Sequence, residues 1–175
     1  MLVFSLLQNG GLQVTGGPKS FAVFGEGDAK TEVTFVAAPE EELANGRVSW
    51  PGEYDFDGLA VKGLGQEEGQ KVSYRMEANG VKLAFIAPQL QEWSDGEIGQ
   101  LGDIDVLVLP AEDAKKVQKV VEEVDPRVVM FVPPAGKKVG ADILKACGAE
   151  DADTVKEFKL KGALPSEGRE VVVFG

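Results

Sequence analysis

A chain of 175 residues, 43% of them hydrophobic and 27% charged, has the size of one domain with a core of its own. Its formal net charge is −11, from 18 Lys and Arg against 29 Asp and Glu, which disfavours binding to a nucleic-acid backbone or an anionic membrane surface, since both need clustered cations. Histidine is absent and cysteine occurs once, which removes Ser-His-Asp triads, Cys-His pairs, His-bearing zinc sites, all-thiolate zinc sites and any intrachain disulfide.

The first stretch, 1-MLVFSLLQNGG-11, is apolar but too short for a membrane span, and it lacks the basic segment of a secretory signal. It reads as a strand, Leu2–Leu7, in a cytoplasmic protein. Asn9-Gly10-Gly11 is a hairpin signal, followed by runs at Leu12–Thr15, Phe21–Phe24 and Glu32–Ala37 between glycine turns. This spacing predicts antiparallel β structure. The run 58-GLAVKGL-64 alternates, and 72-VSYRMEA-78 and 81-VKLAFI-86 flank Asn79-Gly80, the signature of a type I′ hairpin; 65-GQEEGQK-71 reads as a polar loop.

After Ile86 the period changes. A loop with a short helix near Asp95–Leu101 leads to 104-IDVLVLP-110, a continuous apolar run typical of a strand covered on both faces. In 112-EDAKKVQKVVEEV-124, Ala114, Val117, Val120, Val121 and Val124 share one helical face. The run 127-RVVMFVP-133 completes a β-α-β unit, which implies a parallel pair. A short helix at Ala141–Cys147 stops at Gly148, and strands are expected at Thr154–Leu160 and Glu170–Phe174. Cys147 reads as a small buried residue, because only Lys145 stands near enough in sequence to lower its thiol pKa. A β-rich first half and an α/β second half, with no linker between them, predict one domain over residues 1–175, with helices on the outer faces of two packed sheets.

Three stretches, taken in order and spacing, point to a family: 51-PGEYDFDGLAVKGL-64; 80-GVKLAFIAPQLQE-92 with 102-GDIDVLVLPAE-112; and 125-DPRVVMFVPP-134. They resemble the metallo-β-lactamase superfamily, in its compact branch of metal-dependent hydrolases with a Pro-Gly-Glu-Tyr motif. The resemblance runs from Leu2 to Pro134. It implies a four-layer αββα sandwich with two mixed sheets flanked by helices, and a two-metal centre at one edge. The family's His-x-His-x-Asp-His motif falls on 34-TFVAAPEEEL-43, so its ligands correspond to Ala38, Glu40, Glu42 and Leu43. The family's Gly-Asp falls on Ala87-Pro88, and a later histidine falls near Pro133. Every histidine is therefore replaced and the bridging aspartate is a proline, which has no ligand atom; among these positions Glu40 and Glu42 carry carboxylates.

The resemblance thus implies a degenerate member, a pseudoenzyme with a binding or scaffold role, no metal and no cofactor, and an unidentified protein or small-molecule partner. Two other readings stand beside it. A hydrolase could use a hard metal or bare carboxylates from Glu40, Glu42, Asp55 and Asp57, since oxygen-only clusters suit Mg²⁺ or Ca²⁺. A structural subunit could self-associate into a homo-oligomer. These readings part at the old site, which Pro88, Leu43 and Pro133 plug if catalysis is gone. Glu53 and Tyr54 read as a framework turn beside Asp55 and Asp57, and Glu40–Glu42 as a solvated acidic turn. Trp93 reads either as a core residue that staples its loop or as an aromatic contact for a ligand or partner at the old site's mouth. Lysines in 136-GKKVGAD-142 read as part of a solvated loop, although they precede a helix start where an anion could sit; no complete phosphate-loop motif is present.

Overall fold

A computed structural model describes residues 1–175. Two sheets pack face to face, and three helices cover one of them. The six-stranded sheet is built from β1 (Leu2–Leu6), β2 (Leu12–Thr15), β3 (Phe21–Val23), β4 (Val33–Phe35), β5 (Arg47–Val48) and β13 (Glu157–Leu160), in the order β13-β1-β2-β3-β4-β5. The eight-stranded sheet holds β6 (Gly52–Phe56), β7 (Leu59–Gln66), β8 (Lys71–Ala78), β9 (Val81–Phe85), β10 (Val106–Pro110), β11 (Val128–Val132), β12 (Thr154–Val155) and β14 (Glu170–Phe174), in the order β12-β14-β11-β10-β9-β8-β7-β6. The helices are α1 (Asp95–Leu101), α2 (Ala114–Val124) and α3 (Ala141–Ala146). None is long and apolar enough to cross a membrane.

Alternation builds the layer between the sheets. In β1, Leu2 and Phe4 are buried while Val3 and Ser5 are half-buried, as a period of two requires when one face meets the core. Phe21, Phe35, Tyr74 and Phe85 fill the centre, with Phe21 edge-on to Phe35 at 5.8 Å and to Phe85 at 5.9 Å. Each such side chain stabilises the fold by roughly 1.5–3 kcal/mol through burial alone. In β10 all five residues are buried, because Val106 and Val108 face the other sheet while Leu107 and Leu109 face the helices. The second apolar layer joins Leu107, Leu109, Val129 and Phe131 to Val117, Val120 and Val121 of α2. Helix starts follow the expected chemistry. Ser94 and Glu97 form a reciprocal capping box at α1, and Asp113 accepts from the amides of Lys115 and Lys116 at α2.

The helices, α1, α2 and α3, all contribute to the layer outside the eight-stranded sheet, so the helical cover expected on both sides stands on one side. The fold matches expectation in its two mixed sheets and in the parallel pairing of β10 with β11. Asn79 and Gly80 both have positive φ, as the hairpin between β8 and β9 demands. Three local expectations change. β3 and β4 pair in parallel, not antiparallel, because residues 24–32 carry the chain back along the sheet before β4 begins. Residues 154–160 divide between two sheets: β12 joins β14, and after Lys156 the chain crosses over to pair β13 with β1. Glu53, Tyr54 and Asp55 lie in the edge strand β6, and the turn falls one step later at Asp57-Gly58, where both residues have positive φ.

Candidate functional site

Strands β9, β10, β11 and β14 run parallel, so their C-terminal ends emerge along one edge of the sandwich. In open α/β sheets that edge is where ligands bind, because loops diverge there and leave a crevice. Here the loops begin Ile86-Ala87-Pro88, Pro110-Ala111-Glu112 and Val132-Pro133-Pro134. Facing them are the hairpin Asn9-Gly10-Gly11 and residues Phe24 and Gly25, which follow β3.

A cavity of about 110 Å³ opens between these two walls, lined mainly by Phe24, Phe85, Ile86, Val108, Pro88 and Pro133. Its floor needs glycine. A Cβ on Gly11 would stand 2.5 Å from the Val23 carbonyl oxygen and 2.6 Å from the Gly25 nitrogen, so only a bare Cα lets the hairpin lie on this backbone. Phe24 has φ 59, a strained region for a bulky residue, and its amide is held by the Phe35 carbonyl at 2.9 Å. The carboxylate of Glu112 is already engaged. It accepts from the amides of Gln89 and Leu90 at 2.9 and 2.7 Å and so fixes the loop after β9.

Next to this cavity, and sharing Asn9, Phe24 and Pro88 with it, is a shallower cleft reaching Ala38 and Arg47. The structure therefore brings together three of the positions inferred from the resemblance: Ala38, Pro88 and Pro133. It does not bring in the others. Leu43 is 81% exposed and plugs nothing, because the loop that carries it runs over the surface. Glu42 is exposed and has no hydrogen-bonding partner in the chain. Glu40 is turned to another use. Arg47 donates to it through Nε (2.6 Å) and Nη2 (3.1 Å), and through Nη1 to Glu26 at 2.8 Å. The Glu40 amide donates to Ser49 Oγ at 3.0 Å, and Trp50 Nε1 donates to the Glu40 carbonyl at 2.9 Å. The guanidinium holds the Glu40 carboxyl below the usual glutamate value.

Asp55 and Asp57 lie at the far end. Asp57 pairs with Lys19 at 3.4 Å, just before β3, whereas Ala38 follows β4, which runs parallel to β3. The four carboxylates proposed for acid–base or hard-metal chemistry therefore do not converge. Trp93 is 1% exposed in the layer between α2 and the sheet, which makes it a core residue and removes it as a ligand or partner contact. Cys147 is half-buried, and burial pushes its thiol pKa up, as an inert cysteine requires. Sequence reading missed three contributors: the wall made by Asn9-Gly10-Gly11, the strained Phe24, and Arg47. The last has a visible signal, since it is the one cation between Thr31 and Lys62 and follows three glutamates.

A catalytic zinc centre takes about three N, S or O side-chain donors. Ala38, Pro88 and Pro133 offer none, and both Glu40 oxygens are bound by Arg47. No group of three or more His, Cys, Asp or Glu side chains is placed to hold an ion. The residues present do not fit the two-metal centre of the family.

No protein-family model matches the sequence, and no curated protein is similar to it. Solved structures are. A protein from Thermotoga maritima, assigned to the Zn-dependent hydrolases of the metallo-β-lactamase superfamily, superimposes with a TM-score of 0.79 at 19% identity, covering 99% of this chain and 98% of its own. The metallo-β-lactamase fold protein YhfI from Bacillus subtilis gives 0.63 at 9% identity, over 83% of this chain and 91% of that one. Igni18, a metallo hydrolase from the hyperthermophilic archaeon Ignicoccus hospitalis, gives 0.61 at 10% identity, over 91% and 99%. At such identities the likeness is one of fold.

Proposed function

We propose that this chain, a protein of the metallo-β-lactamase fold, is a non-catalytic binding protein that uses the crevice of its hydrolase fold as a ligand site. One observation carries the reading: Ala38, Pro88 and Pro133 meet at the crevice edge with no donor atom among their side chains, while an apolar cavity of about 110 Å³ stays open beside them. A concave, mainly apolar pocket with few polar groups is the usual form of a small-molecule site. The bidentate Arg47–Glu40 pair supports the same reading, because it places a fixed cation beside the position where the resemblance puts an imidazole ligand.

The test is elemental analysis of untagged protein after equilibration with Zn²⁺, Mn²⁺ or Mg²⁺. The expected result is less than about a tenth of an ion per chain, since a folded centre with matched ligands would hold its metal through dialysis. One or two retained ions, lost in a Glu40→Ala variant, would overturn the binding-protein reading in favour of a carboxylate-based hydrolase.

A further inference from the structure

The apolar cavity shares a wall with a second cleft. Gly10, Pro133, Pro134 and Ala135 line it on one side and on the other line a second, open cleft of about 580 Å³. The rim they share is made of small residues that approach closely: a Cβ on Gly10 would stand 3.4 Å from the Ala135 nitrogen. The chemistry changes across that rim. The inner cavity is walled mainly by phenylalanine, aliphatic side chains and prolines, with Asn9 and the already engaged carboxylate of Glu112 also in its lining, whereas the outer cleft carries Lys137, Lys138 and Lys156 and no acidic side chain.

Those lysines stand out in a protein of net charge −11. None of the three forms an ion pair: the cations that do are Lys19, Arg47, Lys159 and Arg169. Gly175, at the chain end, lies on the same wall, and no lysine of the three is within ion-pair distance of a carboxylate there. Two separate segments supply the charge, Lys137 and Lys138 from the loop after β11 and Lys156 from the crossover between β12 and β13, so the cluster is a product of the fold and not of one basic run. A cleft lined by one sign of charge concentrates the opposite ion.

Size narrows the other half. An apolar cavity of about 150 Å³ takes up benzene, so one of the volume seen here suits a single ring or a short branched chain. We infer that the crevice binds a small amphipathic anion, with a benzene-sized apolar group in the cavity and a carboxylate or phosphate head across the shared rim among Lys137, Lys138 and Lys156. This rests on the binding-protein reading above and gives it a ligand class. Joining the two halves in one molecule makes the second contact intramolecular, so the whole binds more tightly than either part.

The experiment is an amide-resolved NMR titration of the untagged chain with four probes: phenyl phosphate, phenylacetate, inorganic phosphate and benzyl alcohol. At least one of the two amphipathic anions should bind about tenfold more tightly than inorganic phosphate or benzyl alcohol, shifting the amides of Phe85, Val108 and Val132 together with those of Lys137 and Lys138. The triple variant Lys137→Gln, Lys138→Gln, Lys156→Gln, at three exposed and unpaired positions, should weaken that anion about tenfold and leave benzyl alcohol within about twofold. Which of the two anions responds tells phosphate from carboxylate. Inorganic phosphate binding as tightly as phenyl phosphate, or anion affinity unchanged in the triple variant, overturns the inference. In those cases benzyl alcohol shifting the cavity amides leaves the crevice standing as a binding site, whereas no shift from any probe removes both.

Discussion

Two loops that the resemblance assigns to metal binding are held in place by opposite means. Residues 36–46, after β4, are held by charge and exposed polar contacts: Arg47 bridges Glu40 and Glu26, and Trp50 donates to the Glu40 carbonyl. Residues 86–94, after β9, are held by burial. Ile86, Ala87, Leu90 and Trp93 are at most 4% exposed, and Glu112 accepts two of the loop amides. Lys71, Lys116 and Lys119 donate to the carbonyls of Pro88, Gln89, Leu90 and Trp93. A loop free of a ligand role can be secured by either route, but the two fail under different conditions. Ion pairs near water respond to salt and acid. A packed loop responds to lost volume and lost acceptors.

The largest effect should follow truncation of the buried loop's anchor. Trp93→Ala should cost about 3–5 kcal/mol in chemical denaturation, the range for large aromatic deletions in a core. Trp93 also carries a buried indole N–H with no acceptor. Trp93→Phe removes that donor along with some volume, so it should cost clearly less than the alanine variant. Equal costs for the two would mean that the indole N–H finds a partner, such as ordered water.

Next in size is Glu112→Ala, which leaves the amides of Gln89 and Leu90 without acceptors. A loss of about 1–3 kcal/mol is expected, with faster hydrogen exchange at both amides and none at residues 36–46. Exchange unchanged at Gln89 and Leu90 would show that the loop is held by packing alone. Tyr74→Phe probes the root that the first loop shares with the core. The Tyr74 hydroxyl donates to the Val36 carbonyl at 2.6 Å, with the Val48 carbonyl at 3.1 Å, and ties β8 to the ends of β4 and β5. Its loss should cost about 1 kcal/mol, since the two carbonyls lose a buried donor. Burial pushes the Tyr74 pKa well above the ordinary value of 10.0, so its neutral form is the folded one. The stability it contributes is therefore present below pH 10.0 and is lost as pH rises beyond that. The alkaline limb of wild-type unfolding should accordingly be steeper than that of the phenylalanine variant.

What could be read from residues alone divides along the same line. Elements fixed by local chemistry were legible: the short helix α1, the Asn79-Gly80 hairpin, and the apolar runs of β10 and β11. The positions Ala38, Pro88 and Pro133 came from the resemblance and not from local chemistry, and the structure sets them along the crevice. Elements decided by distant partners were not legible. β6 is an edge strand whose residues are mostly exposed, so no alternation marks it, and β5 is two residues long. The split of residues 154–160 depends on β1 and β14 being available on different sheets. Trp93 could line a pocket or fill a core, and only the packing of α2 against β10 decides for the core. Lys137 and Lys138 were legible as a pair where an anion could sit, but Lys156, far from them in sequence, was not legible as the third lysine of their cleft.

The smallest effect on stability belongs to the charged loop, and it separates the two designs most cleanly. Glu40 is held below its ordinary pKa of 4.5 by Arg47. A carboxylate depressed in the folded state contributes stability that is fully present above the unfolded value and is lost as pH falls through the folded one. Acidification from pH 7 should therefore leave residues 36–46 protected until the medium passes below 4.5, and then loosen them. Residues 86–94 are held by burial and by hydrogen bonds that Glu112 and the lysines make to uncharged backbone groups. Hydrogen exchange read as a function of pH and salt makes the comparison. Residues 36–46 should lose protection in high salt at neutral pH and on acidification, while 86–94 change little with salt. Arg47→Met should reproduce the first result at every pH and abolish its salt dependence. A loop at 36–46 that stays protected in the Arg47→Met variant would show that Tyr74 and the Ser49 and Trp50 hydrogen bonds suffice to hold it, with the ion pair incidental to the position it occupies.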